Sequence, residues 1–541
     1  MKIKKRGTTP HNGLAKKYRV QKRLLGPKTF KKALITNNLL NKGIKNENIF
    51  LENGGLDKNQ YQTFKNELNQ RSMVTDELIE NTPDKQLQGR NPLFGIDEEQ
   101  FAVEGTMQVL VLLVEFENRK HQTEPNYFKN LLFSTGVNYS MRDYFYEVSG
   151  GKLIIEGHVT EWTTLGEYEN YMVERNNGET TWIDPDSEKI VFDALETGHE
   201  NNLLPGFSYD YFDTLIVVGA GTGFNRTLKY EDISPHRGPL NKHIVLGNNL
   251  IDHYIMINEL PEYDVGGYCH EFAHELGLPD LYADDGQSIV VGRWCLMGAG
   301  SYNNGGRTPS HLSAWCKWKL GWVKTQEING QPDFYEIPSI NSEKIIYRLN
   351  VPYSNGKEYY LIENRQQTGF DKDIPGNGLL IWHINENGFF RGSPNINVSN
   401  LALTLKQADG KRDLEQSFVS REFLEMIEKT FGGDDGDIFP GKTNNRTLSP
   451  DSNPNSDSYS GYNSGIVISS ISDSSDMMKA LMGYEYLIEE EYAETIPLIK
   501  YPLLILSFEP FCDINQTSAE YWEGYEKGYK EGYQFLKENT K

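Results

Sequence analysis

The sequence predicts an α+β protein, an α/β half followed by an all-β half, and three observations predict it. Near-continuous apolar runs stand at MQVLVLLVEF (107–116) and TLIVVGAG (214–221), as strands covered on both faces require. From about residue 330 the pattern changes to short alternating strands separated by Gly, Asn, Pro and Asp. Between them the segment GGYCHEFAHELGLPDLY (266–282) reads as a helix with two histidines one turn apart.

The elements follow in chain order. Residues 1–105 are polar and rich in Lys, Asn and Gln, and they end in the loop-like TPDKQLQGRNP, so they read as an N-terminal, propeptide-like extension. The basic residues between Lys2 and Lys32 offer only Tyr18 and Phe30 for stacking, and read as a solvated or pro-region surface. The first apolar run follows, and NYSMRDYFYEVSGGKLIIEGHVTEW then passes from amphipathic helix to alternating strand. GAGTG (219–223) lacks the dinucleotide-binding spacing and reads as a tight turn after a strand, with no clear helix behind it.

In the later half KEYYLIENRQ (357–366), GLLIWHIN (378–385) and GIVISSIS (465–472) read as strands of a sandwich. GGDDGDIFPG (432–441) carries Asp434, Asp435 and Asp437 at a composition close to a calcium loop, but it lacks the EF-hand glutamate and reads as a polar turn. The tail repeats tyrosine at Tyr521, Tyr525, Tyr529 and Tyr533 beside Gly524, Gly528 and Gly532, which places two stripes side by side on a docking or terminal helix.

Bulk properties exclude several classes. A formal charge of -22 over 541 residues opposes general nucleic-acid binding, because an acidic surface repels phosphate. Four cysteines, Cys269, Cys295, Cys316 and Cys512, are too few for a disulfide framework and read as buried thiols, although Cys269 and Cys295 lie close enough to the candidate site for a bridge to be weighed. No apolar core follows the basic start, as a secretory signal would need, and IPLIKYPLLILSF (496–508) is too short to span a bilayer.

The chemistry concentrates at His270-Glu271-Phe272-Ala273-His274. Four-residue spacing on a helix points both imidazoles at one ion and leaves Glu271 beside the open coordination position. Gly277 permits the left-handed turn that ends the helix, and Asp280, six residues past His274, then stands where a third ligand belongs. Asp284, Asp285 and Glu275 compete for that role, and Asp280 also has a duller reading as a cap after Pro279.

Two imidazoles and a carboxylate suit Zn²⁺ with one position left for water, and the expected chemistry is peptide hydrolysis with Glu271 as general base. Further on, VGRWCLMGAGSY (291–302) sets Met297 in a Gly-rich turn like the methionine turn beneath the zinc of metzincins, with Tyr302 considered for oxyanion stabilisation.

Together with SMRDYFYEVSGGKL (140–153), TPSHLSAWCKWKLGW (308–322), YYLIENRQQTGFD (359–371), PGNGLLIWHIN (375–385) and DIFPG (437–441), these segments resemble the M6 peptidases, the immune inhibitor A-like metalloproteases, from about 105 to about 475. The resemblance implies a metzincin-like zincin catalytic domain at 106–328, a β-rich domain at 329–485 and a C-terminal tail at 486–541. It further implies an N-terminal propeptide, secretion and protein or peptide substrates. Asp280 is favoured as third ligand, and structural Ca²⁺ is implied at no assigned residue.

The chain departs from the pattern in showing no signal peptide, and no cysteine before Cys269 is available for a cysteine switch, which leaves Asp97, Glu98 or Glu99 as candidate zinc caps. Two other readings compete. A gluzincin would take a later glutamate ligand, against the early Gly277 and Asp280. A non-catalytic adhesion or carbohydrate-binding protein would have no use for Glu271.

Overall fold

The computed structural model describes residues 103–485, apart from 137–138, 177–180, 201–211, 228, 247–248, 261–263, 283–289, 391–392, 395–401 and 416–431. The chain falls into two compact units, Met1–Glu485 and Tyr486–Lys541, and every described residue lies in the first. The basic N-terminal stretch, the candidate caps Asp97 to Glu99, Asp284, Asp285, Cys512, the 496–508 run and the Tyr/Gly tail lie outside the described residues.

The first apolar run becomes β1 (Gly105–Phe116), an inner strand of a five-stranded sheet. It pairs in parallel with β2 (Leu153–Leu165) on one side and β3 (Thr214–Thr222) on the other. The sheet continues through β5 (Asn249–Leu260), parallel to β3, and ends on β4 (His236–Leu246), which is antiparallel to β5.

Why these strands read as unbroken apolar runs follows from the period-two alternation of side chains. Val109, Val111 and Leu113 enter one core, and Leu110, Leu112, Val114 and Phe116 enter another on the opposite face. In the same way Ile216 and Val218 part from Leu215 and Val217, and Ile255 and Ile257 part from Tyr254 and Met256.

One face is covered by α1 (Pro125–Phe133) and α2 (Met141–Ser149), through Phe128, Leu132, Tyr144, Phe145 and Val148. The other is covered by α3 (Ser187–Glu200), through Ile190, Val191, Ala194 and Leu195. The start of α2 is fixed by Ser140, whose side chain accepts from the Asp143 amide at 3.1 Å, and its end by Gly150 at φ 68°.

On the α1/α2 face lies α4 (Asp264–Glu275), buried along nearly its whole length. Gly266 lets it sit close to the 3₁₀ segment Ala299–Gly306, since a β-carbon there would lie 2.1 Å from the Ser301 carbonyl oxygen. A one-turn helix, Phe224–Thr227, follows β3, so the GAGTG stretch is the strand end and a turn with a short helix behind it.

The β-rich half builds two further sheets. One orders Leu403–Leu405, Gly378–Asn385, Glu358–Arg365, Ile345–Asn350 and Lys324–Glu327, with Phe439–Pro440 beside Gly378. The other orders Ile466–Ser469, Met477–Tyr484 and Asp333–Pro338. They share a core in which Tyr347, Ile362 and Ile381 meet Ile337, Ile466 and Met478.

Strand Glu358–Arg365 is buried along its whole length because its other face, with Leu361, packs into the core that also holds the α4 side chains. Charge crosses the same boundary. Lys317, in the short helix Ala314–Lys319, lies 2.7 Å from Glu363, and Arg365 donates to the Trp294 carbonyl at 3.3 Å and pairs with Asp371. All four side chains are fully buried, so each charge depends on its partner.

Candidate active site

The helix α4 holds His270 and His274 with ring centroids 4.9 Å apart and planes at 88°. Each ring is aimed by a backbone carbonyl behind it: His270 Nδ1 donates to Leu296 O at 2.9 Å, and His274 Nδ1 to Leu278 O at 2.8 Å. With both Nδ1 protons committed, each neutral ring presents the lone pair of Nε2.

Those lone pairs face one atom. Asp280 Oδ1 lies 3.0 Å from His270 Nε2 and 3.4 Å from His274 Nε2. Three acceptors in such proximity repel one another unless a cation, or a proton on His270 Nε2, lies between them. Among the described residues this is the group of three whose donor atoms all fall within 4.8 Å of one another. Two donors, each about 2.0–2.1 Å from a tetrahedral ion, stand about 3.3 Å apart, so the donor set fits a small ion of the zinc type.

Chain geometry brings Asp280 there. Gly277 sits at φ 95°; its amide bonds back to His274 O at 2.9 Å, and the next amide, of Leu278, reaches Ala273 O at 3.1 Å. This pair of bonds is the left-handed helix ending that glycine favours, and it also delivers the Leu278 carbonyl to His274. Glu275, the one competing third ligand that is described, faces away, its Oε2 2.7 Å from Arg237 Nε.

Met297 is fully buried, and its carbonyl accepts from the Leu281 amide at 2.8 Å, while the neighbouring Leu296 carbonyl orients His270. The segment under the donor set therefore braces both the helix and the loop that carries Asp280. Tyr302 lies half-buried in the 3₁₀ segment that follows. Cys269, Cys295 and Cys316 are buried free thiols, so Cys269 and Cys295 form no bridge.

Electrostatics follow the geometry. Burial alone would push His270 down, but the hydrogen bond and charge of Asp280 outweigh it and raise the imidazole to about 9. Burial opposes ionisation of Asp280, yet the two histidines hold it well below the usual carboxylate range. Glu271 is buried and its carboxyl is raised, first by desolvation, with His270, His274 and the Arg237 backbone opposing. A carboxyl raised in this way is suited to accept and return a proton.

The groups that sequence reading misses are mostly backbone. The Leu296 and Leu278 carbonyls carry no side-chain signature, and Arg237 lies 38 residues from its partner Glu275. Only the position of Leu278, directly after the Gly277 turn, offers a signal.

Residues 235–328 match the family model of the immune inhibitor A peptidase M6 catalytic domain. Over 288 residues the chain is 27% identical to the pre-pro-metalloprotease PrtV of Vibrio cholerae serotype O1, covering 41% of this chain and 31% of that protein, in strains M66-2 and El Tor Inaba N16961 alike. It is 26% identical over 263 residues to immune inhibitor A of Bacillus thuringiensis subsp. alesti, covering 38% of each. The matched part thus spans about a third of the length of these relatives. Among the described residues no helix is long and apolar enough to cross a membrane. The matched segment includes β4, the donor-bearing helix and the Met297 turn, and over it the chain is similar to the M6, immune inhibitor A-like metalloproteases.

Proposed function

We propose that this chain is a zinc-dependent endopeptidase of metzincin-like build, with His270, His274 and Asp280 as metal ligands and Glu271 as general base. The observation that carries the reading is the meeting of two Nε2 lone pairs and one carboxylate oxygen, with both Nδ1 protons already committed to carbonyls. A zinc ion bound there would lower the pKa of water and polarise the scissile carbonyl.

The chain's own residues do the rest. Glu271, buried beside the donors, takes the proton from water on its carboxylate and returns it to the leaving amine. The edge strand β4 pairs on one side only, with β5, and its free side suits an extended peptide laid along it as an added strand. Protein or peptide substrates therefore fit the site, with 106–328 as the catalytic part and 329–485 as a β-rich companion.

The name pre-pro-metalloprotease, borne by the Vibrio relative, supports reading residues 1–105 as a propeptide and the chain as a secreted zymogen. Structural calcium belongs to the same proposal.

Casein hydrolysis by the full chain and by a chain beginning at residue 106, with and without chelator, tests the reading. Hydrolysis that chelator abolishes, zinc restores and Glu271→Ala removes supports it. A zinc-replete chain beginning at residue 106 that leaves casein intact, or a Glu271→Ala variant as active as wild type, overturns it.

A further inference from the structure

Two buried nucleophiles have no part in the chemistry described above. Cys295 stands in the segment beneath the histidines, and Cys316 in the short helix Ala314–Lys319. Both are free thiols closed off from solvent.

The fold sets them side by side through Ser313. Its amide donates to Cys295 Sγ at 3.2 Å, and its side chain caps the short helix by accepting from the Cys316 amide at 3.3 Å. The two stretches of chain are stitched again where the Leu296 amide donates to His311 O at 3.3 Å. The Cys316 thiol completes the contact by donating to Cys295 Sγ.

The two sulfurs differ in character. Burial opposes ionisation of Cys295, but the Cys316 thiol, the Ser313 and Met297 amides and the Ser313 hydroxyl all point at its sulfur and bring it down to about 7. Burial and the neighbouring Cys295 push Cys316 up. Arg365, which donates to the Trp294 carbonyl at 3.3 Å, adds a cation on the Cys295 side. A sulfur that ionises readily beside one that stays protonated is an arrangement of attacking and resolving thiol.

Metal binding does not account for the pair. Structural zinc takes four ligands, whereas among the described residues the group of three donors within 4.8 Å of one another is the histidine set, so no third ligand joins the two sulfurs.

We propose that Cys295 and Cys316 are a disulfide-forming pair, oxidised by a small-molecule or protein disulfide as the chain folds. The Cys295 thiolate attacks one sulfur of that oxidant, which leaves a mixed disulfide on Cys295 and expels a thiolate. Cys316 gives up its proton and attacks Cys295 Sγ, expelling the second thiolate. Two protein thiols are thereby oxidised to one disulfide, and the oxidant is reduced to two thiols that take up both protons. Because both sulfurs are closed off in the folded chain, the exchange takes place before the core closes over them.

The bond's place gives it a task. The Leu296 carbonyl aims His270, and the Met297 carbonyl holds the Leu281 amide in the loop that carries Asp280. A covalent tie at Cys295 pins both supports to the short helix, and through Lys317 and Glu363 to the β-rich half.

The pair stands or falls apart from the peptidase reading, and its test needs no activity. The full chain is produced with export to the bacterial periplasm, an oxidising compartment, and in parallel in the cytoplasm. Folded protein from each is denatured in iodoacetamide, digested with trypsin and mapped by mass spectrometry. The expected result is residues 294–307 joined to residues 308–317 in the periplasmic protein, and the same two peptides separate and alkylated in the cytoplasmic one. The joined chain should melt on the order of 5 °C above the separate one, a gap that Cys316→Ala abolishes. A folded periplasmic chain with both cysteines alkylated, or with either joined to another cysteine, overturns the assignment. Equal melting of joined and separate chains overturns the bracing role.

Discussion

Arg237 Nε stands 2.7 Å from Glu275 Oε2, which fastens the edge strand β4 to the last turn of the helix bearing both histidines. The Arg237 backbone also hydrogen-bonds Glu271, so one residue ties the strand to the candidate base and to the helix end. Both side chains of the ion pair are about one-fifth exposed, at 22% and 18%, so solvent screens part of its strength. Arg237→Ala is expected to cost roughly 1 kcal/mol in denaturant unfolding and to lower casein turnover by more than that loss of folded protein explains. The reversed pair Arg237→Glu with Glu275→Arg should recover part of both. No recovery would show that the ion pair is not what holds the strand.

Gly277 makes the corner on which Asp280 depends. Alanine at φ 95° is strained whatever space surrounds it, and Gly277→Ala should cost about 1–2 kcal/mol. Because the same turn delivers the Leu278 carbonyl and Asp280, the variant should also retain less zinc on dialysis. Gly461→Ala, at φ 81° with nothing within 4 Å of the added carbon, should lose comparable stability and keep its metal. Equal zinc retention by the two variants would separate the turn from the site.

The histidine and aspartate shifts set a pH window for the metal-free protein. His270 is raised from 6.5 to about 9, so the stability it contributes is fully present below 6.5 and is lost as pH rises through 9. Asp280 is held below its ordinary 3.8, so its contribution is present above that value and is lost as pH falls beneath it. Melting temperatures of the chelated chain should therefore decline between pH 6.5 and 9, while the rise produced by added zinc grows, because ligation needs the deprotonated ring. His270→Ala should flatten the decline; the same decline in that variant would assign it to other groups.

Much of the site is written locally. The spacing of His270 and His274, the glycine at 277 and the methionine at 297 are short-range features whose geometry follows from helix pitch and left-handed backbone. The buried strands are legible for a similar reason: β1 and β3 divide alternate residues between two apolar faces, so polarity disappears from the run.

What sequence does not display is pairing across distance. β4 contains Arg237, Asn241 and Lys242 and reads as nothing in particular, because as an edge strand it has one partner and less need of apolar alternation. The buried pair Lys317 and Glu363 is equally silent, since each residue alone suggests an exposed surface. The Asp434 to Asp437 turn reads as polar because the carboxylates that crowd it, Asp409 and Asp413, come from an earlier loop.

The most direct test of the central claim is anomalous scattering at the zinc absorption edge, from crystals of the full chain grown with zinc. One strong peak within about 2.0–2.2 Å of His270 Nε2, His274 Nε2 and an Asp280 carboxylate oxygen is the predicted result. A map with no peak among those three side chains, or with zinc held elsewhere while they stay hydrogen-bonded to one another, would contradict it.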